Sequence, residues 1–100
     1  MIDRGFLATL VAKPGKEQQL ADFLNSALPL ANAEAGTITW YAIRIDDVTF
    51  GIFDTFETQE AREAHINGPI AKALMDHADD LLAQPPTIQP VNVLAAKTPG

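Results

Sequence analysis

The chain has no cysteine, a single tryptophan, and only seven lysine and arginine residues among its 100 residues. Without cysteine it can form no disulfide, no thiolate nucleophile and no cysteine-bound zinc or iron–sulfur centre. The few basic residues are scattered along the chain, and 13 acidic residues bring the formal net charge to -6. A field of that sign repels nucleic-acid phosphates and anionic lipid, so we expect no nucleic-acid partner.

Long apolar runs are also absent. The apolar run at residues 6–12 is too short for a signal-peptide core followed by a cleavage site. No stretch approaches the roughly 20 apolar residues of a membrane span, so we expect a cytoplasmic protein with no membrane partner. The hydrophobic fraction of 47% beside 20% charged residues is typical of a globular chain. We expect one domain over residues 1–100.

What the chain does contain is an alternation of strand-like and helix-like segments. Residues of alternating polarity or runs rich in Val and Ile predict four strands, at Phe6–Ala12, Thr37–Ile45, Val48–Phe56 and Ile88–Ala95. The two middle strands meet at the short acidic turn Asp46-Asp47, which predicts a hairpin.

Helical spacing of apolar residues predicts the segments between these strands. An amphipathic helix begins at Lys16, and we expect it to kink at Pro29 and to stop at Gly36 in the left-handed conformation. A second helix begins at Thr58, whose hydroxyl can cap exposed backbone amides. A third begins at Pro69, a residue suited to the first helical position.

The resulting order βαββαβ predicts an α+β, ferredoxin-like fold, in which helices cover one face of an antiparallel sheet. The first strand is apolar on both of its faces, and the hairpin carries large apolar groups on both faces as well. Leaving the helix-free face in water would expose a larger apolar patch than a monomer usually tolerates. We therefore expect a symmetric homodimer that packs the two sheets against each other.

A series of short segments carries a family resemblance. They are Ala12–Lys16 after the first strand, Leu28–Gly36 before the second, and Phe56-Glu57-Thr58 leading into Ala64-His65 and Gly68-Pro69. In order and spacing the chain resembles the antibiotic biosynthesis monooxygenase family, small cofactor-independent oxygenases with a dimeric α/β barrel. The resemblance implies that fold, a homodimer and no cofactor.

Some positions depart from the family pattern. Phe56 stands where members often have Trp, and Ile70 stands where a second histidine is common. The haem-degrading branch of this fold relies on an Asn in the first strand, and residues 6–12 contain none. Haem degradation is therefore disfavoured.

His65 is the leading candidate for chemistry, because its place after Thr58 matches the family histidine. A neutral imidazole can take a proton from an acidic phenol or enol near pH 7, which leaves a carbanion-like substrate able to reduce O2. The alternative is that His65 caps or packs the end of a short helix. His77 lies on an apolar helical stripe and is expected to be a packed or rim residue. The two histidines share no close spacing, so we expect no metal site.

Asp54 shares the strand face of Phe50, Ile52 and Phe56 and would point into an apolar layer. A carboxylate there must pair, shift its pKa or face a cavity. Arg44 is a candidate partner across the hairpin, as a catalytic pair or as a structural ion pair.

Aromatic residues could hold a planar substrate. Trp40 and Phe53 would form a stacking wall, although core packing is the alternative for Trp40. Tyr41, with Arg44, could stabilise a developing oxyanion. Phe56 is a further candidate for substrate contact, and Asn32 could line the cavity mouth.

Together these residues predict a cofactor-independent monooxygenase that oxidises a small apolar, quinol-like or polycyclic aromatic compound. The alternative is a non-redox protein of the same dimeric fold, either a small-ligand binder or an isomerase that needs a base but no oxygen.

Overall fold

The computed structural model describes residues 1–99, which form one four-stranded sheet and four helices. The elements are β1 (Arg4–Val11), α1 (Glu17–Ser26), α2 (Leu28–Ala33), β2 (Thr37–Arg44), β3 (Thr49–Phe56), α3 (Gln59–Ile66), α4 (Pro69–Leu81) and β4 (Thr87–Asn92). The strands lie in the order β2-β3-β1-β4, and every neighbouring pair is antiparallel. This is the predicted ferredoxin-like α+β fold, which is confirmed.

The chain between α1 and β2 differs from the prediction. The prediction of a single helix kinked at Pro29 was wrong. Helix α1 ends at Ser26, and α2 begins at Leu28 with Pro29 in its first turn. The reason is that proline has no N–H to continue the hydrogen bonds of the preceding helix, whereas it is tolerated in a first turn.

Gly36 also has a different role from the predicted left-handed helix stop. In residues 1–99 the glycine with a positive φ is Gly15, and α2 ends earlier, at Ala33, with Glu34 extended. A Cβ on Gly36 would lie 2.7 Å from the Cβ of Ala61 in α3. Glycine is therefore required by close packing against α3, and this contact brings the segment around Glu34 beside that helix.

The strand ends differ from the predicted ones by a few residues. β1 begins at Arg4, before the predicted Phe6, because Arg4 pairs with both Phe56 of β3 and Asn92 of β4. β4 ends at Asn92, short of the predicted Ala95, because the ladder with β1 ends at the Arg4–Asn92 pair and only one further hydrogen bond follows, from the N–H of Val93 to the carbonyl oxygen of Asp3.

The two faces of the sheet differ in burial. On the helix side, the fully buried Leu10 packs in one cluster with Leu20 of α1, and the fully buried Phe56 packs against His65 of α3. On the helix-free side of the single chain, Tyr41 is 55% exposed and Ile43 is 43% exposed. The helices therefore cover one apolar face and leave the other open.

Candidate functional site

Asp54 is a buried carboxylate in the middle of β3, with 1% of its surface exposed. It lies opposite Trp40 of β2 and Phe6 of β1, on the helix side of the sheet, as its strand position predicted. The backbone N–H of Phe6 donates to Asp54 Oδ1 at 3.3 Å, and the Nε2 of His65 lies 2.8 Å from Asp54 Oδ2. Asp54 is thus paired, as the sequence allowed, but its partner is His65.

His65 lies in the last turn of α3 and is 7% exposed. The Oγ1 of Thr58 accepts a hydrogen bond from the N–H of Ala61 at 3.1 Å, which fixes the start of this helix. The His65 ring packs against Phe56 with centroids 5.3 Å apart. Because Asp54 holds one ring nitrogen and the helix fixes the backbone, the ring has a defined orientation.

Glu34, in the segment between α2 and β2, completes the site. Its Oε1 lies 2.5 Å from Nδ1 of His65 and accepts a hydrogen bond from the Thr37 hydroxyl at 2.7 Å. The three side chains form a line, carboxylate to imidazole to carboxylate, which we call the Asp54–His65–Glu34 cluster. Neither ring nitrogen of His65 is free, so the predicted neutral imidazole is not what this arrangement favours.

The charge state of His65 follows from its surroundings. Burial by itself lowers the pKa of His65, but the hydrogen bonds to Asp54 and Glu34, with their negative charges, outweigh burial and raise the pKa above the ordinary histidine value. The imidazolium, which donates from both nitrogens, is therefore the favoured form of the ring up to a higher pH than for an ordinary histidine. The cluster then carries one positive and two negative charges.

Two cavities meet at His65. The first, the inner cavity, has a volume of about 30 Å³ and is lined by Asp54, His65 and apolar side chains, namely Phe6, Ala8, Ile52, Ile66, Ile70, Ala71, Leu74 and Ile88. The second, the outer pocket, has a volume of about 160 Å³ and is lined by Glu34, His65 and the residues Ala35, Gly36, Thr37, Ala61, Ala64 and Pro69. His65 is the residue that the two linings share, so the cluster lies between the inner cavity and the outer pocket.

The predicted pairing of Arg44 with Asp54 is wrong. The hairpin register puts Arg44 opposite Phe50 and puts Trp40 opposite Asp54. The guanidinium lies 4.7 Å from the centroid of the Phe50 ring and donates to the Asp47 carbonyl oxygen. At about 3.3 Å per strand residue, the four-residue offset separates Arg44 from the cluster by more than 10 Å.

The predicted aromatic wall is not brought together at His65. Trp40 is on the helix side and packs against Ala27, Ala31 and Ile70, in agreement with the core-packing alternative. Phe53 and Tyr41 pair with each other on the helix-free side, where they cannot reach a ligand at the cluster.

The remaining predicted residues divide in the same way. Phe56 is fully buried against the His65 ring, and Asn32 is exposed on α2. His77 is an exposed rim residue whose ring lies 5.1 Å from that of Phe23. Glu34 was missed, because the prediction treated it as one more residue of the preceding helix.

Within residues 1–99, no group of three or more His, Asp or Glu side chains is arranged to hold a metal ion. No helix in the same range has both the length and the apolar character needed to cross a bilayer.

The raised pKa of His65 predicts a dependence of stability on pH. A folded-state pKa above the unfolded value of about 6.5 means that the cluster stabilises the fold fully below that value, and that this contribution is lost as pH rises through the folded-state pKa. Urea unfolding of the natural chain and of His65→Gln should show a stability difference that is largest near pH 6 and shrinks as the pH rises through the folded-state pKa of His65. A difference that grows with pH would contradict this charge assignment.

Known proteins share this architecture. No family model matches the chain. A protein of unknown function from Nitrosomonas europaea is 53% identical to it, with a TM-score of 0.97 over 100% of this chain and 97% of that one. Two structures named "putative antibiotic biosynthesis monooxygenase" are more distant. One, from Nitrosomonas europaea, has 15% identity and a TM-score of 0.81 over 92% of this chain and 90% of its own. The other, from Caulobacter crescentus, has 18% identity and a TM-score of 0.77 over 94% of this chain and 92% of its own.

The two levels of similarity support different statements. At less than 25% sequence identity, a high structural similarity shows a shared fold and nothing further. The resemblance seen in the sequence is therefore confirmed for the fold. The chain belongs to the same family as the Nitrosomonas europaea protein of unknown function, and it has the fold of the antibiotic biosynthesis monooxygenase-like structures.

Proposed function

We propose that the protein is a cofactor-independent monooxygenase that oxidises a carbon carrying an acidic C–H bond in a quinol-like aromatic compound. The observation that carries the proposal is a buried carboxylate, Asp54, that faces an apolar cavity and is held there by the ring of His65. Proteins with this fold that are named for monooxygenase activity support it at the level of analogy.

Asp54 is the base in this proposal, and His65 holds Asp54 in place and supplies a positive charge beside it. A carboxylate retains lone pairs beside its hydrogen bonds, whereas both nitrogens of an imidazolium carry protons. Asp54 accepts a proton from the substrate, and the positive charge of His65 stabilises the negative charge that develops on the substrate. Glu34 is a positioning residue that holds the ring from its other side.

The oxidation balances without a cofactor. Loss of a proton from an activated CH2 group gives a carbanion, which passes one electron to O2 and leaves a carbon radical and superoxide. These combine to a peroxide that Asp54 protonates. Removal of the second C–H proton then breaks the O–O bond, so that the products are one ketone and one water from one CH2 group and one O2.

The size of the inner cavity limits how a substrate can bind. A benzene ring occupies a cavity of about 150 Å³, far more than the inner cavity offers. The ring must therefore rest at the rim, where Phe6, Ile66 and Ile88 are half-buried, with its reacting carbon directed at Asp54. This favours a planar compound bound by one edge.

Oxygen consumption with a panel of dihydroxynaphthalenes and anthrone tests the proposal. We expect enzyme-dependent uptake of one O2 per ketone formed, with one labelled atom from ¹⁸O2 in the product and the other in water. Uptake no faster than the uncatalysed oxidation with every compound, or formation of hydrogen peroxide in place of water, would contradict it.

An isomerase is the second candidate, because the cluster can move a proton and contains no group that by itself moves electrons. Anaerobic exchange of the acidic C–H of anthrone in D2O separates the two functions. Exchange together with oxygen uptake supports the monooxygenase, whereas catalysed exchange without uptake supports the isomerase.

We also propose that the working form is a homodimer joined through the helix-free face of the sheet. Leu7, Val11 and Phe53 are only half-buried on this face, and Tyr41 and Ile43 are exposed. Packing a second copy against them would remove an apolar patch that a small domain otherwise leaves in water.

Light scattering should therefore give twice the chain mass of 10.8 kDa for the natural protein. Replacing Tyr41 with glutamate would bury a charge at the interface twice, and we expect the dimer dissociation constant to rise at least about 100-fold. Met75→Glu is the matched control, because Met75 is as exposed as Tyr41 but lies on α4. A monomeric natural chain at micromolar concentration would refute the dimer.

A further inference from the structure

The inner cavity has a feature that proton transfer does not require: apart from Asp54 and His65, its lining side chains are all apolar. They come from three strands and two helices and meet at Ile52, Ile70 and Leu74, which are buried. A base that needs only to reach its substrate could face open solvent. The apolar lining therefore indicates a second use of this space.

Water is poorly suited to the inner cavity. A buried water usually makes about three hydrogen bonds to protein groups. The His65 nitrogens are used by Asp54 and Glu34, and Asp54 Oδ1 already accepts from the N–H of Phe6. The side chains therefore offer a water molecule one carboxylate as acceptor and no free donor. Cavities lined by Leu, Ile and Phe stay dry and bind apolar atoms such as xenon, and eight of the ten residues that line the inner cavity are apolar.

The volume indicates a very small occupant. One water molecule needs about 10–15 Å³ of the kind of space measured here, and the inner cavity has about 30 Å³, room for a molecule of two heavy atoms. An organic ring does not fit. A diatomic apolar gas matches both the size and the lining.

We propose that the inner cavity is a dioxygen-binding site in which O2 lies among Ile52, Ile70 and Leu74, next to Asp54 and His65. The inference rests on the proposed function for the use of the gas. It adds that the protein holds O2 before the substrate carbanion forms, instead of capturing it from solvent.

The position is suited to the one-electron reduction of O2. Once Asp54 has taken the substrate proton, its negative charge no longer offsets the imidazolium from the cavity side. The positive ring of His65 then lies beside the atom pair that becomes superoxide, in an apolar setting where its field is weakly screened. The substrate radical at the rim is the partner with which superoxide combines.

The test uses O2 itself and needs no turnover. Dissolved O2 is paramagnetic, so methyl protons relax faster where it resides, and the relaxation can be measured by NMR under oxygen pressure without substrate. We expect the enhancement at the methyl groups of Ile52, Ile70 and Leu74 to exceed that at Leu20 several-fold, although Leu20 is as fully buried. Equal enhancement at Leu20 would overturn the site.

A cavity-filling pair of variants completes the test. Ala71→Leu should fill the inner cavity and abolish the local enhancement, whereas Ala73→Leu, on the same helix but outside the lining, should leave it unchanged. With an oxidised substrate, Ala71→Leu should raise the KM for O2 about tenfold, which corresponds to about 1.4 kcal/mol. An enhancement that survives Ala71→Leu would contradict the assignment. Failure of the monooxygenase proposal would appear separately, as absent oxygen uptake by the natural chain.

Discussion

Replacing His65 with alanine is expected to lower the free energy of unfolding by about 3–5 kcal/mol, because it leaves the buried carboxylate of Asp54 without its partner. For a domain of this size, each kcal/mol corresponds to a fall in Tm of about 4–8 °C. Urea unfolding near pH 6, below the ordinary histidine pKa of about 6.5, gives the most direct value because the imidazolium predominates there. Protein concentration must be matched between variants, since unfolding of a dimer depends on it.

His77→Ala is the matched control for that measurement. Both residues are histidines packed against a phenylalanine, but His77 is exposed and pairs with no carboxylate in residues 1–99. Its replacement should cost less than about 1 kcal/mol. Equal losses for the two variants would mean that the Asp54–His65–Glu34 cluster contributes no more than ordinary packing.

Replacing Asp54 with asparagine is expected to lower kcat by about 10²–10⁴-fold with any substrate that the oxygen assay identifies. Asparagine has nearly the same shape and can still accept from His65, but it cannot take a proton at neutral pH. The pH profile should lose its dependence on a basic group, which a purely structural loss would not cause.

Asp76→Asn is the control for activity, because it removes the same charge from an exposed position on α4. Its kcat should equal that of the natural chain. If Asp54→Asn folds and turns over at the natural rate, Asp54 is not the base and the proposed mechanism is wrong.

The fold and the sheet face on which the Asp54 side chain lies could be predicted, because both follow from local periodicity. Alternation along a strand fixes which side chains share a face, so Asp54 had to point into the layer formed by Phe50, Ile52 and Phe56. The same rule puts Phe53 on the opposite face. Its assignment to a wall beside His65 was therefore inconsistent with a pattern already visible in the sequence.

Contacts between distant segments could not be predicted in this way. The Arg44–Asp54 pairing depended on the hairpin register, which alternation alone leaves open. Glu34 meets His65 across a separation of 31 residues, through a turn that forms because α2 ends at Ala33. No spacing rule links two such positions, so the second carboxylate of the cluster became visible only in three dimensions.

The charge state of His65 is the point on which stability, proton transfer and dioxygen reduction all depend. A ¹H–¹⁵N spectrum of the histidine side chains, recorded across pH, measures it directly. The structure predicts that His65 keeps protons on both ring nitrogens up to a pKa above the ordinary histidine value of about 6.5. A His65 ring that loses its charge at or below that value would contradict the account.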